Sequence, residues 1–332
     1  MKTISIIIIN HNGEKFLERL FKTIQVQTFQ DFEVIFVDND SEDESVAFVE
    51  EKYSNTKIIL NENLGYGSGC NVGARYANGK YLIFLNEDMY LPKDFLEKLI
   101  TFRNELPHQE KIGAISCKMV DFDAEPDDFR PTYGAKIDIF GFPVKARNSE
   151  ETFIVSGSPM FIRRDLFLKI RGFNEAIFIY GEDVDLSWRL NILGYHNFTI
   201  NSTCLYHFGG GATGAFGPKK IADIMYGTFV PVFTNYNLTT LLFILPVFFV
   251  FIVCFYLILS IAKFNIDYIR EAINKINFFR SNIKKAMSMR HFVQANRKRS
   301  DIFFKKYISL VPALIANKSL EKLHEGYAIT NY

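Results

Sequence analysis

The sequence predicts an α/β protein built around a doubly wound, mainly parallel β-sheet. Within the first hundred residues, short apolar runs alternate with longer segments of helical periodicity, which is the pattern of parallel strands joined by crossover helices. The run at residues 4–9 is almost entirely isoleucine, as expected of a strand covered on both faces, and it is too short for a signal peptide. A chain of 332 residues with 48% hydrophobic content can bury such a core.

Each element follows from its local pattern. The predicted strands are residues 4–9, 32–38, 57–60 and 80–85, and the predicted helices are residues 14–27, 44–53 and 71–77. Beyond residue 111 the alternation of strands and helices becomes less regular, with short strands and a loop rich in Asp, Pro and Gly. Such a region is typical of the side of a site where an acceptor substrate binds. Residues 153–162 return to strand character and lead through a helix into an acidic run.

Composition divides the chain into four parts. Residues 1–220 are predicted to form the globular domain, and residues 221–237 a linker, because Gly and Pro punctuate the chain there. Residues 238–262 contain no charged residue, and residues 263–332 form a basic tail, predicted to be mostly helical, with 14 Lys+Arg against 5 Asp+Glu. The tail therefore carries +9, and the rest of the chain carries −8.

The apolar segment is long enough to cross a bilayer. Its 25 residues would reach about 37 Å as a helix, against about 30 Å of hydrocarbon. The alternative is a buried core helix, although core helices rarely run past about 20 residues without a polar face. The basic tail favours the cytoplasmic side of a membrane, where positive residues are enriched and anionic headgroups attract them. We expect no nucleic-acid partner. If the globular domain is cytoplasmic too, the segment is re-entrant, interfacial, or a span that breaks the charge rule.

Three polar clusters follow predicted strands. They are residues 10–13 after the first strand, 38–41 after the second and 86–88 after the fourth. In doubly wound sheets, ligands bind at the carboxyl ends of the strands, so the three clusters are expected at one binding edge. A single polar loop would be unremarkable, because loops are normally polar.

The run at residues 180–189 concentrates acid in the second half of the chain. Glu182, Asp183 and Asp185 occur within four positions, beside Trp188 and Arg189. Carboxylates held this close raise one another's pKa, so the arrangement favours a cation or a proton-transfer role. The alternative is a helix N-terminus, where acidic residues are favoured by the helix dipole, and both interpretations can hold together.

These residue types suit the transfer of a group from a nucleotide-activated donor. A divalent cation neutralises the charge of a diphosphate, and Asp88 is the best candidate ligand, with His207 as a second ligand or as a structural residue. Asp183 is the candidate base for the attacking hydroxyl. Glu182 and Asp185 would support it by orienting backbone or basic neighbours, and Trp188 would form an apolar wall.

Five motifs in this order strongly resemble the family 2 glycosyltransferases. They are residues 6–13, 37–43, 61–67, 85–88 and 180–185, and the resemblance covers roughly residues 1–215. It is closest to the rhamnosyltransferase-like branch. The resemblance implies a GT-A fold, a nucleotide-sugar donor, a divalent metal (Mn²⁺ or Mg²⁺), and inversion at the anomeric carbon by one direct displacement.

The resemblance also assigns roles to residues. His11 falls where an aromatic side chain lies against the base, and Asn86 replaces the first Asp of the family's Asp-x-Asp motif, which retains Asp88 as metal ligand. Asp183 matches the catalytic base, and His207 matches a late metal-ligand position. The residues expected to bind the nucleotide sugar are Asn10, His11, Asp38, Asn39, Asn63, Gly65, Asn71 and Asn86.

The resulting prediction is an inverting glycosyltransferase that extends a glycan or lipid-linked acceptor at the cytoplasmic side of a membrane. Its donor would be a dTDP-, UDP- or GDP-sugar, and Asn39 in place of a second Asp slightly favours dTDP-rhamnose. Two alternatives remain. One is a dehydrogenase that uses residues 65–69 as a dinucleotide loop, although this pattern departs from the fingerprint and does not follow the first strand. The other is a membrane-attached scaffold that keeps the fold without activity.

Overall fold

The computed structural model describes residues 2–121, 136–144, 150–208 and 217–309. The predicted acceptor-side loop at residues 121–147 and the end of the basic tail lie largely outside the described residues. In chain order, the strands of the described residues are β1 (Ile4–Asn10), β2 (Phe32–Asn39), β3 (Lys57–Asn61), β4 (Tyr81–Asn86), β5 (Met89–Tyr90), β6 (Ile112–Asp121), β7 (Lys136–Asp138), β8 (Pro143–Val144), β9 (Glu151–Thr152), β10 (Met160–Arg163), β11 (His196–His207) and β12 (Ile308–Ser309).

The helices connect these strands and then extend beyond the sheet. They are α1 (Glu14–Gln25), α2 (Ser45–Lys52), α3 (Tyr66–Tyr76), α4 (Phe95–Glu105), α5 (Arg164–Lys169), α6 (Glu182–Ile192), α7 (Pro218–Asn235), α8 (Leu238–Ala262) and α9 (Asp267–Ala295). Short 3₁₀ helices occupy Gln109–Lys111 and Asp301–Lys306.

The main sheet is mixed and has the strand order β3-β2-β1-β4-β10-β6-β11-β5, with β9 paired to β11. Its first half is parallel, because β1 pairs with β2 and β4, and β2 pairs with β3. Strand β10 then runs antiparallel between β4 and β6. A small second sheet joins β12, β7 and β8. The predicted α/β class with a GT-A-like mixed sheet is confirmed.

Strand β1 shows why the sheet is covered on both faces. Ile4, Ile6 and Ile8 point into one core with α1 and α4, and Ile7 and Ile9 point into the other with α3, α5 and α6. All seven residues of the strand are buried. Successive side chains of a strand alternate between faces, so only an uninterrupted apolar run can fill both cores.

Helix α3 begins several residues before its predicted start, because the glycine-rich segment belongs to the helix. A side chain at Gly67 would place its Cβ 2.9 Å from Cβ of Phe173, and one at Gly69 would place it 2.8 Å from the side-chain nitrogen of Asn39. The glycines therefore permit close packing of the helix against its neighbours.

The segment predicted as a linker is helical for most of its length, since α7 runs from Pro218 to Asn235. Its glycine and proline do not end the helix. A Cβ at Gly227 would lie 2.0 Å from the Tyr180 carbonyl oxygen, and one at Gly181 would lie 2.1 Å from the Gly227 carbonyl oxygen. The two backbones thus touch, and α7 packs directly on the loop that enters α6. Pro231 is accommodated inside the helix.

A buried ion pair fixes α6 to the rest of the domain. Nη2 of Arg189 lies 2.9 Å from Oδ2 of Asp185, and both side chains are 0% exposed. Arg189 also donates to the carbonyl oxygens of Ile170 and Gly172. Oδ1 of Asp185 accepts at 2.7 Å from the Thr234 hydroxyl at the end of α7. Every charged atom of the pair therefore faces a partner of opposite polarity.

We predict that Arg189→Leu destabilises the protein by about 3 kcal/mol or more, because it leaves the Asp185 carboxylate buried without its counter-charge. Equilibrium urea unfolding measures the change. The matched control is Arg163→Leu, whose ion pair with Asp165 is exposed and should contribute less than about 1 kcal/mol. Equal losses in the two variants would contradict the assigned importance of the buried pair.

Candidate active site

The carboxyl ends of β1 and β2 form one side of the site. Nδ2 of Asn10 donates to Oδ1 of Asp38 at 2.9 Å and to the Ser41 hydroxyl at 3.0 Å. Ser41 in turn donates its hydroxyl to Asp38 at 2.6 Å. Asn10 and Asp38 are both buried, so the sheet edge and this hydrogen-bond network hold them rigidly.

His11 and Asn39 lie at the same edge. The His11 ring is exposed, and its Nδ1 lies 2.8 Å from the Asn39 carbonyl oxygen. Oδ1 of Asn39 accepts from the Asn61 amide at 2.9 Å. The imidazole is therefore oriented while its outer face stays open to solvent, as an aromatic platform for a base would require.

The segment between β3 and α3, which was predicted to line the nucleotide, contacts the loop that precedes the acidic run. Gly65 has φ +99°, and a Cβ there would lie 2.0 Å from the Phe178 carbonyl oxygen. Oδ1 of Asn63 accepts from the Gly65 amide at 3.3 Å, and Tyr66 donates its amide to the same Phe178 oxygen. The loop conformation explains the glycine, since L-residues with side chains rarely adopt this φ.

Asn71, which was predicted to bind the nucleotide sugar, makes its side-chain hydrogen bonds within the protein. Its side-chain amide donates to the Phe173 carbonyl oxygen at 3.0 Å and to Glu175, and it accepts from the Phe173 amide at 2.8 Å. Asn71 is buried, so its side chain ties α3 to the loop before α6. Its polar atoms are used by the protein.

Asp88 and His207 are adjacent across the pairing of β5 with β11. Nε2 of His207 lies 3.0 Å from Oδ2 of Asp88, which is 6% exposed. Oδ1 of Asp88 is buried and has no hydrogen-bond partner among the described residues. A carboxylate oxygen and an imidazole nitrogen suit Mn²⁺ or Mg²⁺, so the pair fits a divalent cation. Within the described ranges, no group of three His, Cys, Asp or Glu side chains is placed to hold a metal.

Unsatisfied oxygens are concentrated at this edge of the sheet. Four buried side-chain oxygens of the candidate site lack a partner among the described residues, and all are acceptors: Asn10 Oδ1, Asn86 Oδ1, Asp88 Oδ1 and Glu182 Oε2. Buried polar groups are normally hydrogen-bonded, so each such group requires an explanation. Hydroxyl donors of a ligand, or a cation, would satisfy all four oxygens.

The acidic run begins helix α6, as the helix interpretation expects. Gly181 precedes the helix with φ +82°, and the first turn contains Glu182, Asp183 and Asp185. Asp183 accepts at 2.7 Å from the Val184 amide and at 3.3 Å from the Gly157 amide. Both acceptor oxygens of Asp183 are thus oriented by backbone, at a partly exposed position.

The surroundings of this turn disfavour negative charge. Burial, and then the charge of Asp183, raises the pKa of Glu182 to about 8. Burial also raises the pKa of Asp183, against the opposing effect of its backbone hydrogen bonds. A second carboxyl behaves in the same way, since burial and the charge of Asp88 raise the pKa of Glu87 to about 8. Each pair therefore holds less than its full negative charge near neutral pH.

Two other residues of the run lie inside the protein. Asp185 binds Arg189, as described above. Trp188 is 0% exposed and packs edge-on against Tyr236, with ring centroids 4.7 Å apart. It therefore belongs to the core between α6 and α7, and not to an open apolar wall, because the α7 helix that covers it was not expected from the sequence.

A short loop joins the two acidic centres. The Ser158 hydroxyl accepts from the Asn86 amide at 2.9 Å, and the neighbouring Gly157 amide donates to Asp183. The Tyr66 hydroxyl donates to the Gly157 carbonyl oxygen at 3.1 Å. The end of β4, α3 and the start of α6 thus meet around one peptide. Sequence reasoning missed these loop residues, and the Ser-Gly-Ser-Pro run was their only local signal.

This site defines the protein as an α/β protein with a polar site at the carboxyl edge of its sheet and acidic residues on two sides of that site. The model of the family described as "Glycosyl transferase family 2" matches residues 5–171. The chain belongs to this family. The dehydrogenase alternative is therefore wrong: residues 65–69 follow β3, and lie mostly within α3.

Two relatives have the same general description. An uncharacterized glycosyltransferase of Rickettsia prowazekii is 28% identical over 191 residues, which is 55% of this chain and 57% of the relative. An uncharacterized glycosyltransferase of Haemophilus influenzae is 31% identical over 183 residues, covering 52% of this chain and 57% of the relative. The chain thus spans a little over half the length of these relatives.

Solved structures share the fold. Staphylococcus aureus TarS 1–349 in complex with UDP has a TM-score of 0.56 at 19% identity, covering 98% of this chain and 92% of that chain. The mannosyltransferase PcManGT of Pyrobaculum calidifontis, in complex with GDP-Man and Mn²⁺, has a TM-score of 0.51 at 15% identity, covering 89% and 86%. At these identities the likeness shows the fold alone.

We predict that Glu182→Gln makes the ligand-free protein more stable at alkaline pH. Folding raises the pKa of this carboxyl from 4.5 to about 8. Below pH 4.5 the group is protonated in both states and does not affect the free energy of unfolding. As pH rises from 4.5 to about 8, the unfolded state loses the proton more readily, so the folded state becomes progressively less stable. Since the side chain is partly exposed, the gain at pH 8 should be roughly 1–3 kcal/mol.

Thermal unfolding of the variant and the unmodified chain between pH 5 and 9 measures this effect. The Tm difference should grow with pH and vanish near pH 5. Glu105→Gln, on the exposed surface of α4, is the control and should give a flat difference. A pH-independent effect of Glu182→Gln would contradict the assigned environment.

Proposed function

We propose that the protein is an inverting glycosyltransferase that transfers a sugar from a nucleoside diphosphate donor to a hydroxyl of a glycan or lipid-linked acceptor. The observation that carries this proposal is the path from Asn86 through Ser158 and Gly157 to Asp183. Asn86, two residues before the candidate metal ligand Asp88, and the candidate base Asp183 thus bond to neighbouring residues of one loop. A donor on the strand ends would then present its anomeric carbon between them.

The donor's nucleoside would lie on the β1 and β2 ends. His11 would offer its exposed ring to the base, and Asn10 would offer its unpartnered oxygen to a ribose hydroxyl. Asp38, whose carboxylate accepts from Asn10 and Ser41, would hold this arrangement and remains a proposed contact of the nucleoside. The side-chain nitrogen of Asn39 donates no hydrogen bond within the described part of the chain, so it remains able to donate to a base or a sugar. We infer a dTDP-, UDP- or GDP-sugar donor, and retain rhamnose as the first sugar to test.

Asp88 and His207 would hold Mn²⁺ or Mg²⁺. The cation would neutralise the diphosphate charge of the leaving group. Asn86 contributes a neutral amide where a second carboxylate would otherwise lie, so Asp88 is the carboxylate of this motif that would bind the cation beside His207. The two structures of similar fold contain UDP, and GDP-Man with Mn²⁺, which supports a diphosphate donor and a divalent metal.

Asp183 would act as the general base. Its two oxygens are oriented by the Val184 and Gly157 amides, and its raised pKa brings the carboxylate closer to the pH at which it must accept a proton. The proton of the attacking hydroxyl passes to Asp183 as that oxygen bonds to the anomeric carbon and the nucleoside diphosphate leaves. Glu182 would adjust this basicity through its charge.

The protein would work at a membrane, with the domain of residues 1–220 on the cytoplasmic side. Helix α8 is long and apolar enough to cross a membrane, with a mean hydropathy of 3.0 over its best window. The basic tail favours anionic lipid headgroups. A membrane location would bring the site to lipid-linked acceptors.

We predict that Asp183→Asn lowers transfer at least about a thousandfold while it changes donor affinity little, because only the proton acceptor is lost. Product formation from a panel of nucleotide sugars measures transfer, and a thermal-shift titration measures donor binding. The control is Asp165→Asn, which changes a carboxylate on the exposed surface. Asn191 is in the same helix as Asp183, but it is buried, so Asn191→Asp cannot serve as a control. Near-normal turnover of Asp183→Asn would reject the base.

We predict that Asp88→Asn and His207→Ala each abolish the extra thermal stabilisation that Mn²⁺ gives in the presence of a nucleoside diphosphate. Stabilisation by nucleotide alone should persist, since β1 and β2 supply its contacts. Asp94→Asn, a carboxylate exposed at the start of α4, is the control. If no nucleotide sugar is turned over or hydrolysed by the unmodified chain with either metal, the scaffold alternative gains support.

A further inference from the structure

Helix α8 has two apolar faces with different surroundings. One face is buried or half-buried and consists of Leu241, Ile244, Leu245, Phe248, Phe251, Ile252, Phe255, Tyr256 and Leu259. The other face is exposed and consists of Leu242, Phe243, Val247, Phe249, Val250, Val253, Leu257, Ile258 and Ile261. Both sets recur at intervals of three or four residues, so each forms a continuous stripe along the helix.

The buried stripe packs on the globular part along most of the helix. Phe248 stacks on Phe140 with ring centroids 5.4 Å apart, and Phe140 also stacks on Phe251 at 5.2 Å. Phe229 of α7 lies against Phe248 at 6.2 Å. The packed stretch from Leu241 to Leu259 is about 27 Å long. The helix therefore cannot leave the protein without exposing this core.

Charged residues lie beside the same helix. Lys275 of α9 forms an ion pair with Asp223 of α7. Asp223 and Glu271 both lie near enough to the Tyr256 hydroxyl to act on it electrostatically. If α8 crossed a bilayer, its packed neighbours would be drawn to the same depth, and these charges would enter hydrocarbon at high free-energy cost.

The end of α8 extends the apolar surface and adds positive charge. In the turn to α9, Phe264 is 97% exposed and Ile266 is 68% exposed. Lys263 lies in the same turn, and α9 exposes Lys284 and Lys285. An exposed apolar stripe that ends in a turn with a basic residue complements the acyl-headgroup boundary of an anionic membrane. A soluble partner protein would not need this charge bias.

We propose that α8 is an interfacial helix that lies in the plane of one membrane leaflet, with its exposed stripe among the acyl chains of anionic lipids. The inference rests on the membrane attachment proposed above and specifies its geometry. The globular part and the basic tail then lie on the same side of the membrane. The conflict between a cytoplasmic domain and a cytoplasmic basic tail, which a single span would create, is thereby removed.

Vesicle flotation tests the surface. The full chain should float with phosphatidylcholine vesicles containing about 30% phosphatidylglycerol, and less well with phosphatidylcholine alone or at high salt. The double variant Phe249→Glu/Ile258→Glu alters only exposed positions and should bind about tenfold more weakly with unchanged Tm. Val26→Glu, an exposed apolar residue after α1, should bind normally. Unchanged flotation of the double variant would overturn the proposal.

Sidedness tests the geometry. Cysteines introduced as Glu51→Cys in α2 and Ser281→Cys in α9, both exposed positions, are labelled with a membrane-impermeant maleimide in sealed vesicles from cells that produce the full chain. Labelling above the unmodified chain should occur for both variants in inside-out vesicles and for neither in right-side-out vesicles. Labelling of the two from opposite sides would establish a span and reject the in-plane helix. Absence of the protein from membranes would instead reject the attachment itself.

Discussion

The buried ion pair between Asp185 and Arg189 determines where the acidic turn of α6 lies. Neither side chain is exposed, so the charges are held by each other and by neighbouring polar groups. Asp185 receives hydrogen bonds from Thr234 and Asn235 of α7, and Arg189 reaches the carbonyl oxygens after α5. Because one carboxylate joins these segments, Asp183, two residues earlier, has a fixed direction. Glu182 and Asp183 can then face the site, while Asp185 is buried in the core.

The site gathers acceptors that folding alone does not satisfy. Glu87 and Glu182 both have pKa values raised to about 8, and oxygens of Asn10, Asn86 and Asp88 lack partners among the described residues. A cation next to Asp88 would bind its unpartnered oxygen, and the same cation would attract a diphosphate. These unsatisfied groups lower the stability of the ligand-free protein, and the proposed binding of metal and donor would restore it.

Local sequence patterns predicted the parallel half of the sheet and its polar edge. Strands β1, β2 and β4 were predicted because strands buried on both faces require unbroken apolar runs, and the clusters after them follow from the strand ends. The order of β10, β6 and β11 was beyond sequence reasoning, since it depends on pairings between distant residues. The neighbours of Asn71 and Trp188 were beyond sequence reasoning for a related reason, since Phe173 and Tyr236 are far from them in the chain.

The helices that follow the sheet pack against the segment that leads into the site. Gly227 of α7 contacts the backbone at Tyr180 and Gly181, which leads into the acidic turn. The carbonyl oxygens that end α7 are satisfied by Arg290 and Gln294 of α9. Helix α8 packs on both partners through its buried stripe. Since glycine at these crossings leaves no space between the backbones, a displacement of α7 would displace the start of α6. The exposed stripe of α8, which we propose contacts the membrane, is thereby connected to the position of Asp183.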